Sequence, residues 1–211
     1  QSTHLASVGK LFTATITGML HDKGLLSFDD KIENYLDTGL MRGLHAYKDN
    51  DYSGDISIKH LLKQTSGLND VFFPLLKKMI NEPKLEMTAR EALEWGKTNL
   101  KPVGKPGQKH FYTDTNYYLL GLIIENITKK PFHEAVHEMV LEPLKMDNAY
   151  ISGYSGPKNK PQFPPANIFL SNINFIEDKR IAKIDYAGGG VVAPLSEFLV
   201  FMKALVNGQL V

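Results

Sequence analysis

Apolar residues at positions 11, 12, 16, 19 and 20 keep a helical period, which predicts a packed amphipathic helix from Ser7 to His21, with Gly24 just past its end. After the punctuation of Gly24 and Ser27-Phe28-Asp29-Asp30, Lys31 to Leu36 reads as a short helix, and residues 41–55 are polar and loop-like. Ser57 is placed to cap a helix over Ile58 to Lys63, which stops at Thr65-Ser66-Gly67-Leu68. Thr88-Ala89-Arg90-Glu91 is a capping box and opens a helix carrying Trp95. Residues 101–108 hold Pro102, Gly104, Pro106 and Gly107 and form a loop. The most apolar helix is predicted from Asp114 to Ile127, and Pro131 starts another that ends near Pro143. Residues 152–167 are rich in Gly and Pro and irregular. Gly188-Gly189-Gly190-Val191-Val192 predicts a close backbone approach followed by a short strand, and a last helix runs from Pro194 to Asn207, closed by Gly208. Helices dominate, no repeat is visible, and there are too few strands for a full sheet.

Composition changes this picture little. The chain has 211 residues, 43% of them hydrophobic and 22% charged, with a formal net charge of +1. Mixed charges summing near zero give no basis for nucleic-acid binding or for an anionic membrane surface. The absence of cysteine removes disulfides and thiolate zinc sites. The longest apolar run, Tyr117 to Ile124, is far too short to cross a bilayer.

Chemistry enters with Ser7 and Lys10. Residues three apart share a helix face, so the hydroxyl and the ammonium meet within one turn. A helix start also favours a developing anion. Ser-x-x-Lys is a weak signal, since about one copy arises by chance in a chain of this length. A second copy, Ser155-Gly156-Pro157-Lys158, lies in a loop where no helical turn joins its two side chains. A rival from another class is His133-Glu134-Ala135-Val136-His137, the zincin spacing, in which two histidines bind zinc and the glutamate is the base. It lacks a well-spaced third ligand (Glu177 is the one candidate), and the apolar stripe Phe132, Val136, Met139 and Val140 leaves both histidines on a polar flank. The reading here is an ordinary surface helix with no metal.

Pro106-Gly107-x-x-x-Phe111-Tyr112-Thr113-Asp114-Thr115-Asn116-Tyr117 is the second informative stretch. With Leu61-Leu62-x-x-Thr65-Ser66-Gly67-Leu68, Pro143-Leu144-x-Met146 and Gly188-Gly189, it gives a chain that resembles the serine β-lactamase-like superfamily over essentially its whole length. The resemblance is to the class C side, with low-molecular-weight penicillin-binding proteins and related esterases. It implies an α-rich portion of the α/β β-lactamase/transpeptidase-like fold, one domain over 1–211, incomplete, with the flanking sheet strands before Ser7 and after the last helix missing. It implies Ser7 as nucleophile, Lys10 as its partner, and Tyr112 as general base or proton shuttle. A phenol is a poor base until a cation stabilises its phenolate, and Lys10 would supply that cation. Asp114 stands where the pattern has Asn. A carboxylate accepts hydrogen bonds but cannot donate, so Asp114 should hold Lys10 charged and recognise an amide less well. That puts peptidase or esterase ahead of β-lactamase. Asn69, beside Asp70, is a further substrate-binding candidate.

The family's late Lys/His-x-Gly strand is absent. Lys105-Pro106-Gly107 matches it in letters only, because its proline has no N–H to donate. One oxyanion donor is then the Ser7 N–H, and the second would come from the missing strand. The chain therefore reads as an excerpt of a serine hydrolase acting through an acyl-enzyme on Ser7. D-Ala-terminated peptides, small esters or β-lactams are the implied substrates, with no cofactor and export to the periplasm, surface or exterior. The alternatives are a non-catalytic penicillin-binding-like module and, behind it, a zinc metalloprotease.

Overall fold

The computed structural model describes residues 1–170 and 173–211. Its centre is the helix α6, Thr115–Thr128, after α1 (Lys10–Asp22), α2 (Thr38–Met41), α3 (Ile58–Leu62), α4 (Phe72–Asn81) and α5 (Ala89–Asn99). Along α6, Tyr118, Leu119, Leu120, Ile123 and Ile124 are fully buried, because α1, α3, α5, α7 (Phe132–Val136) and α8 (Lys179–Gly189) pack around it. A helix apolar on every side needs such a sheath. The crossing of α8 over α6 is made possible by Gly121, where a Cβ would lie 2.8 Å from the Ala187 Cβ. On the other side of α1, Phe12 stacks on Phe201 of α9 (Leu195–Val206) with ring centroids 3.9 Å apart.

The short strands are β1 (Ser2–His4), β2 and β3 (Ala46–Tyr47 and Asn50–Asp51), β4 (Tyr150–Ile151), β5 and β6 (Phe169–Leu170 and Ile173–Asn174) and β7 (Val191–Pro194). β7 is central in an antiparallel sheet of order β1-β7-β4, with His4 opposite Val192 and Ile151 opposite Val191. A short strand stands ahead of Ser7. Ser2–His4 is too short and polar to show a period of two, and it is fixed by pairing with residues about 190 positions away in sequence.

Both sequence-read caps are present: Thr88 accepts from the Glu91 N–H while Glu91 reaches back, and Ser57 does the same with His60. The helices that went unread are α2, α4 and α8. α4 follows directly on Asp70-Val71 with Pro74 in its first turn. α8 is broken by Tyr186 at φ 36°, ψ −126°, so no unbroken helical period marks it. Residues 41–55, read as a polar loop, also fold: they bury Met41, Leu44 and His45 and form the β2–β3 hairpin.

Candidate active site

Ser7 lies in a 3-10 turn, Ala6–Gly9, and the α-helix begins at Lys10. The expected helix start at Ser7 is thus displaced by three residues, yet the pairing survives, because a 3-10 turn also aligns positions i and i+3. The turn is set by its neighbours. The Leu5 N–H donates to the Val191 carbonyl at 2.8 Å, and Ala6 takes the left-handed conformation, φ 48°, with its N–H donating to His4 Nδ1 at 3.1 Å. Gly9 then passes Gly189 so closely that a Cβ on it would lie 3.0 Å from the Gly189 carbonyl carbon.

Lys10 is buried, and its ammonium has three acceptors: Asp114 Oδ1, the Gly188 carbonyl at 2.6 Å and Ser7 Oγ at 3.4 Å. An ammonium has three N–H donors, so the charged form can satisfy all three acceptors. Tyr112, half exposed, covers the group from outside, its ring centroid 5.0 Å from Lys10 Nζ, and the Tyr117 ring lies 5.4 Å away. Burial works against the charge on Lys10, but Asp114 and the Tyr112 hydroxyl outweigh it and raise its pKa. Asp114 answers unequally. Burial pushes it up to about 6 despite Lys10, with the charges of Asp70 and Asp185 adding to the rise. Asp114 is the N-cap residue of α6 but makes no side-chain capping bond there. Its carboxylate is turned to Lys10 instead, and its own N–H donates to Asp70 Oδ1 at 2.8 Å.

A cleft of about 270 Å3 opens here, with Ser7, Tyr112, Asp114 and Asp185 on its polar side and Phe72, Phe73, Ile168 and Phe175 as apolar wall. Among the described residues the Ser7 N–H has no hydrogen-bond acceptor, so it remains available as an oxyanion donor. Of the residues singled out in the sequence, Ser7, Lys10, Tyr112 and Asp114 come together. Asn69 does not. Its amide donates to the Lys101 carbonyl at 3.1 Å, its Oδ1 accepts the Asp70 N–H at 2.8 Å, and it lines a separate crevice beside Lys97 and Pro102. Asp70 is the residue that reaches inward, accepting from Asp114 and from Thr113 Oγ1.

Three groups escaped the sequence. The Gly188 carbonyl holds Lys10, and the glycine run signalled the close approach but not that role. His4 and Asp185, both buried on the cleft wall, face each other at 3.2 Å between Nε2 and Oδ2. Since His4 Nδ1 accepts from Ala6, the proton of the neutral ring belongs on Nε2, toward Asp185. Nothing local links two residues so far apart in the chain. Beneath the cleft, Gln64 Oε1 accepts from the Thr113 N–H and from Asn116 Nδ2, and Ser66 Oγ donates to Asn116 Oδ1 at 2.6 Å. The Thr65–Leu68 and Tyr112–Asn116 motifs are therefore two sides of one buried polar seam.

His133 and His137 build no comparable centre. His133 stacks on Tyr154 at 5.8 Å, His137 Nε2 sits 3.2 Å from Ser155 Oγ, and the helix widens into a π turn at His137–Leu141. Among the described residues no three His, Cys, Asp or Glu side chains are grouped to hold a metal ion. No helix of the described residues is long and apolar enough to cross a membrane.

The Beta-lactamase family profile matches residues 2–211. A penicillin-binding protein of Bacillus subtilis is 28% identical over 153 residues, covering 70% of this chain and 30% of that protein. The monacolin J acid methylbutanoyltransferase of Aspergillus terreus is 28% identical over 150 residues, 66% of this chain and 35% of its own. Among solved structures, a D-stereospecific amidohydrolase from Streptomyces superposes on the whole chain with a TM-score of 0.81 at 23% identity, and the chain spans 62% of it. The chain thus spans about a third of the length of these curated relatives. The fold likeness, the family match and the helical body around α6 agree: the chain belongs to the beta-lactamase family, whose fold is that of the serine β-lactamase and transpeptidase-like proteins.

Proposed function

We propose that this chain carries the acylation centre of a serine hydrolase or acyltransferase, with Ser7 as nucleophile. The observation that carries the reading is the Lys10 ammonium, fixed by Asp114 and the Gly188 carbonyl with its third donor turned to Ser7 Oγ. A buried cation beside a hydroxyl lowers the cost of forming an alkoxide, but a fully protonated amine cannot itself take the proton. Tyr112 is the relay. As Ser7 Oγ bonds to the acyl carbon, the serine proton passes to the Tyr112 oxygen, and the phenol's own proton passes to the leaving oxygen or nitrogen. The carbonyl oxygen gains the negative charge, and the Ser7 N–H is positioned to stabilise it. Collapse expels the leaving group and leaves an acyl-Ser7 ester, which water or another acceptor resolves.

The reading extends to an acyl donor with an apolar side chain, because the cleft wall is Phe72, Phe73, Ile168 and Phe175. D-Ala-terminated peptides and small esters fit that description, with β-lactams as mimics. The carboxylate of Asp114, which can only accept hydrogen bonds when ionised, favours them over β-lactam hydrolysis. The protein containing this chain would meet such substrates at or outside the cell surface. The test is covalent labelling with a fluorescent penicillin and with an activated ester, located by mass spectrometry. Ser7 is the expected site, and Ser7→Ala should abolish the label. Undiminished labelling of Ser7→Ala would mean the wrong serine, and inertness of the whole protein containing this chain to both reagents would leave a non-catalytic binding module.

A further inference from the structure

A cavity separate from the Ser7 cleft opens on the outer side of α6. It holds about 790 Å3 and lies between the segment 34–37, the start of α5 and the outer face of α6. That volume is in the range of small-molecule sites, which pair an apolar lining with a few convergent polar groups. Leu36 and Leu122 supply apolar surface, and Tyr35, Tyr154 and Tyr186 contribute aromatic rings. Two charged side chains on the wall, Arg90 and Asp37, neutralise each other through two hydrogen bonds. Glu125 is different. Its Oε1 accepts the Phe132 N–H at 2.8 Å, and among the described residues no Lys, Arg or His lies within ion-pair distance of it. Lys129, one turn further on, bonds Asn126 Oδ1 instead.

Beside it, the Tyr186 hydroxyl is buried out of reach of solvent and turned to the Glu125 carboxylate. Burial and then the Glu125 charge raise the pKa of both Tyr186 and Tyr154, the latter to about 12, so both phenols stay neutral under a field of negative sign. The complement of a carboxylate with no cationic partner, set among tyrosine rings and apolar side chains, is a donor-rich cation on an apolar body.

We propose that this cavity is a second ligand site, distinct from the Ser7 cleft, that binds a small organic amine with its ammonium on Glu125 and its apolar part along Leu36, Leu122 and Tyr154. The site requires nothing of Ser7, and its test is independent of acylation.

Phenethylamine and its uncharged analogue 2-phenylethanol are titrated into the Ser7→Ala protein at neutral pH, and backbone amide NMR shifts are followed. The amine should shift residues 35–37, 88–90 and 122–126 saturably, and the alcohol should bind at least about tenfold more weakly, as expected for loss of a charged hydrogen bond. Glu125→Gln keeps an acceptor for the Phe132 N–H while removing the charge, and should weaken the amine by a similar factor. Should that variant misfold, Asn126→Trp at the exposed rim blocks the cavity sterically and should abolish the shifts. Equal affinity for amine and alcohol, amine binding undiminished in Glu125→Gln or Asn126→Trp, shifts centred on residues 4–10 and 112–114, or no saturable shifts at all would each overturn the proposal.

Discussion

Ser7-x-x-Lys10 and His133-Glu134-x-x-His137 both set reactive side chains about one helical turn apart, and on spacing alone the second is the rarer pattern. The surroundings separate them. Lys10 is buried and meets Asp114, 104 positions away, and the Gly188 carbonyl, 178 positions away. His133 and His137 meet Tyr154 and Ser155, and Ser155 belongs to the second Ser-x-x-Lys copy, whose Lys158 pairs with Asp147. The outlying motifs are thus taken up by a ring stack, a hydroxyl contact and an ion pair from nearby segments, while the first has its charge fixed by groups more than 100 positions away. Long-range partners that fix a buried charge beside a cleft are what mark the first pair as the candidate site.

The strongest way to break this contrast is to remove Lys10. Lys10→Met leaves the Asp114 carboxylate buried without its cation, a loss on the order of 3–5 kcal/mol. Labelling of Ser7 should fall by roughly 10²–10⁴. Thermal melts and labelling rates read both effects, and wild-type labelling by Lys10→Met would remove the lysine from the proposed chemistry.

Asp114 sharpens the comparison through pH. An unfolded aspartate titrates near pH 4, whereas the folded one is raised to about 6. Between these values the native state binds the extra proton, so this residue's contribution is most favourable below about pH 4 and declines as pH rises to 6, by roughly 3 kcal/mol. In Asp114→Asn that part of the stability slope should vanish, as denaturant melts across pH 4–7 would register. An unchanged slope would place the titration elsewhere.

One layer further out, His4→Leu removes the acceptor of the Ala6 N–H beside a left-handed residue. The expected cost is about 1–3 kcal/mol, with slower labelling because the Ser7 turn loosens. Unaltered melting and labelling together would show that β1 pairing alone holds the turn. The smallest effect belongs to the rival motif. His133→Ala with His137→Ala should cost about 0.5–1.5 kcal/mol for the Ser155 contact and leave labelling and chelator response as in wild type. Loss of labelling in that variant would reverse the ranking of the two motifs.

The helical body was legible because its causes are local. The caps at Ser57 and Thr88, the Pro131 start and the apolar run of α6 each act within a few residues, and all four appear as expected. The Ser7–Lys10 pairing was legible for the same reason, since i to i+3 alignment holds in a 3-10 turn as well as in an α-helix. Tertiary structure decided what is non-local. It formed β1 from a stretch with no strand signal by pairing it to β7, kinked α8 at Tyr186, and drew Asn69 toward Lys101 while Asp70 turned inward. It also assembled the charge state of the site. Lys10 stays an ammonium because Asp114 and the Gly188 carbonyl take two of its three donors, and both arrive by the packing of α6 and α8 against α1. Sequence spacing fixes which side chains can share a turn, whereas the desolvation and the distant charges that set their protonation exist only once those helices have packed.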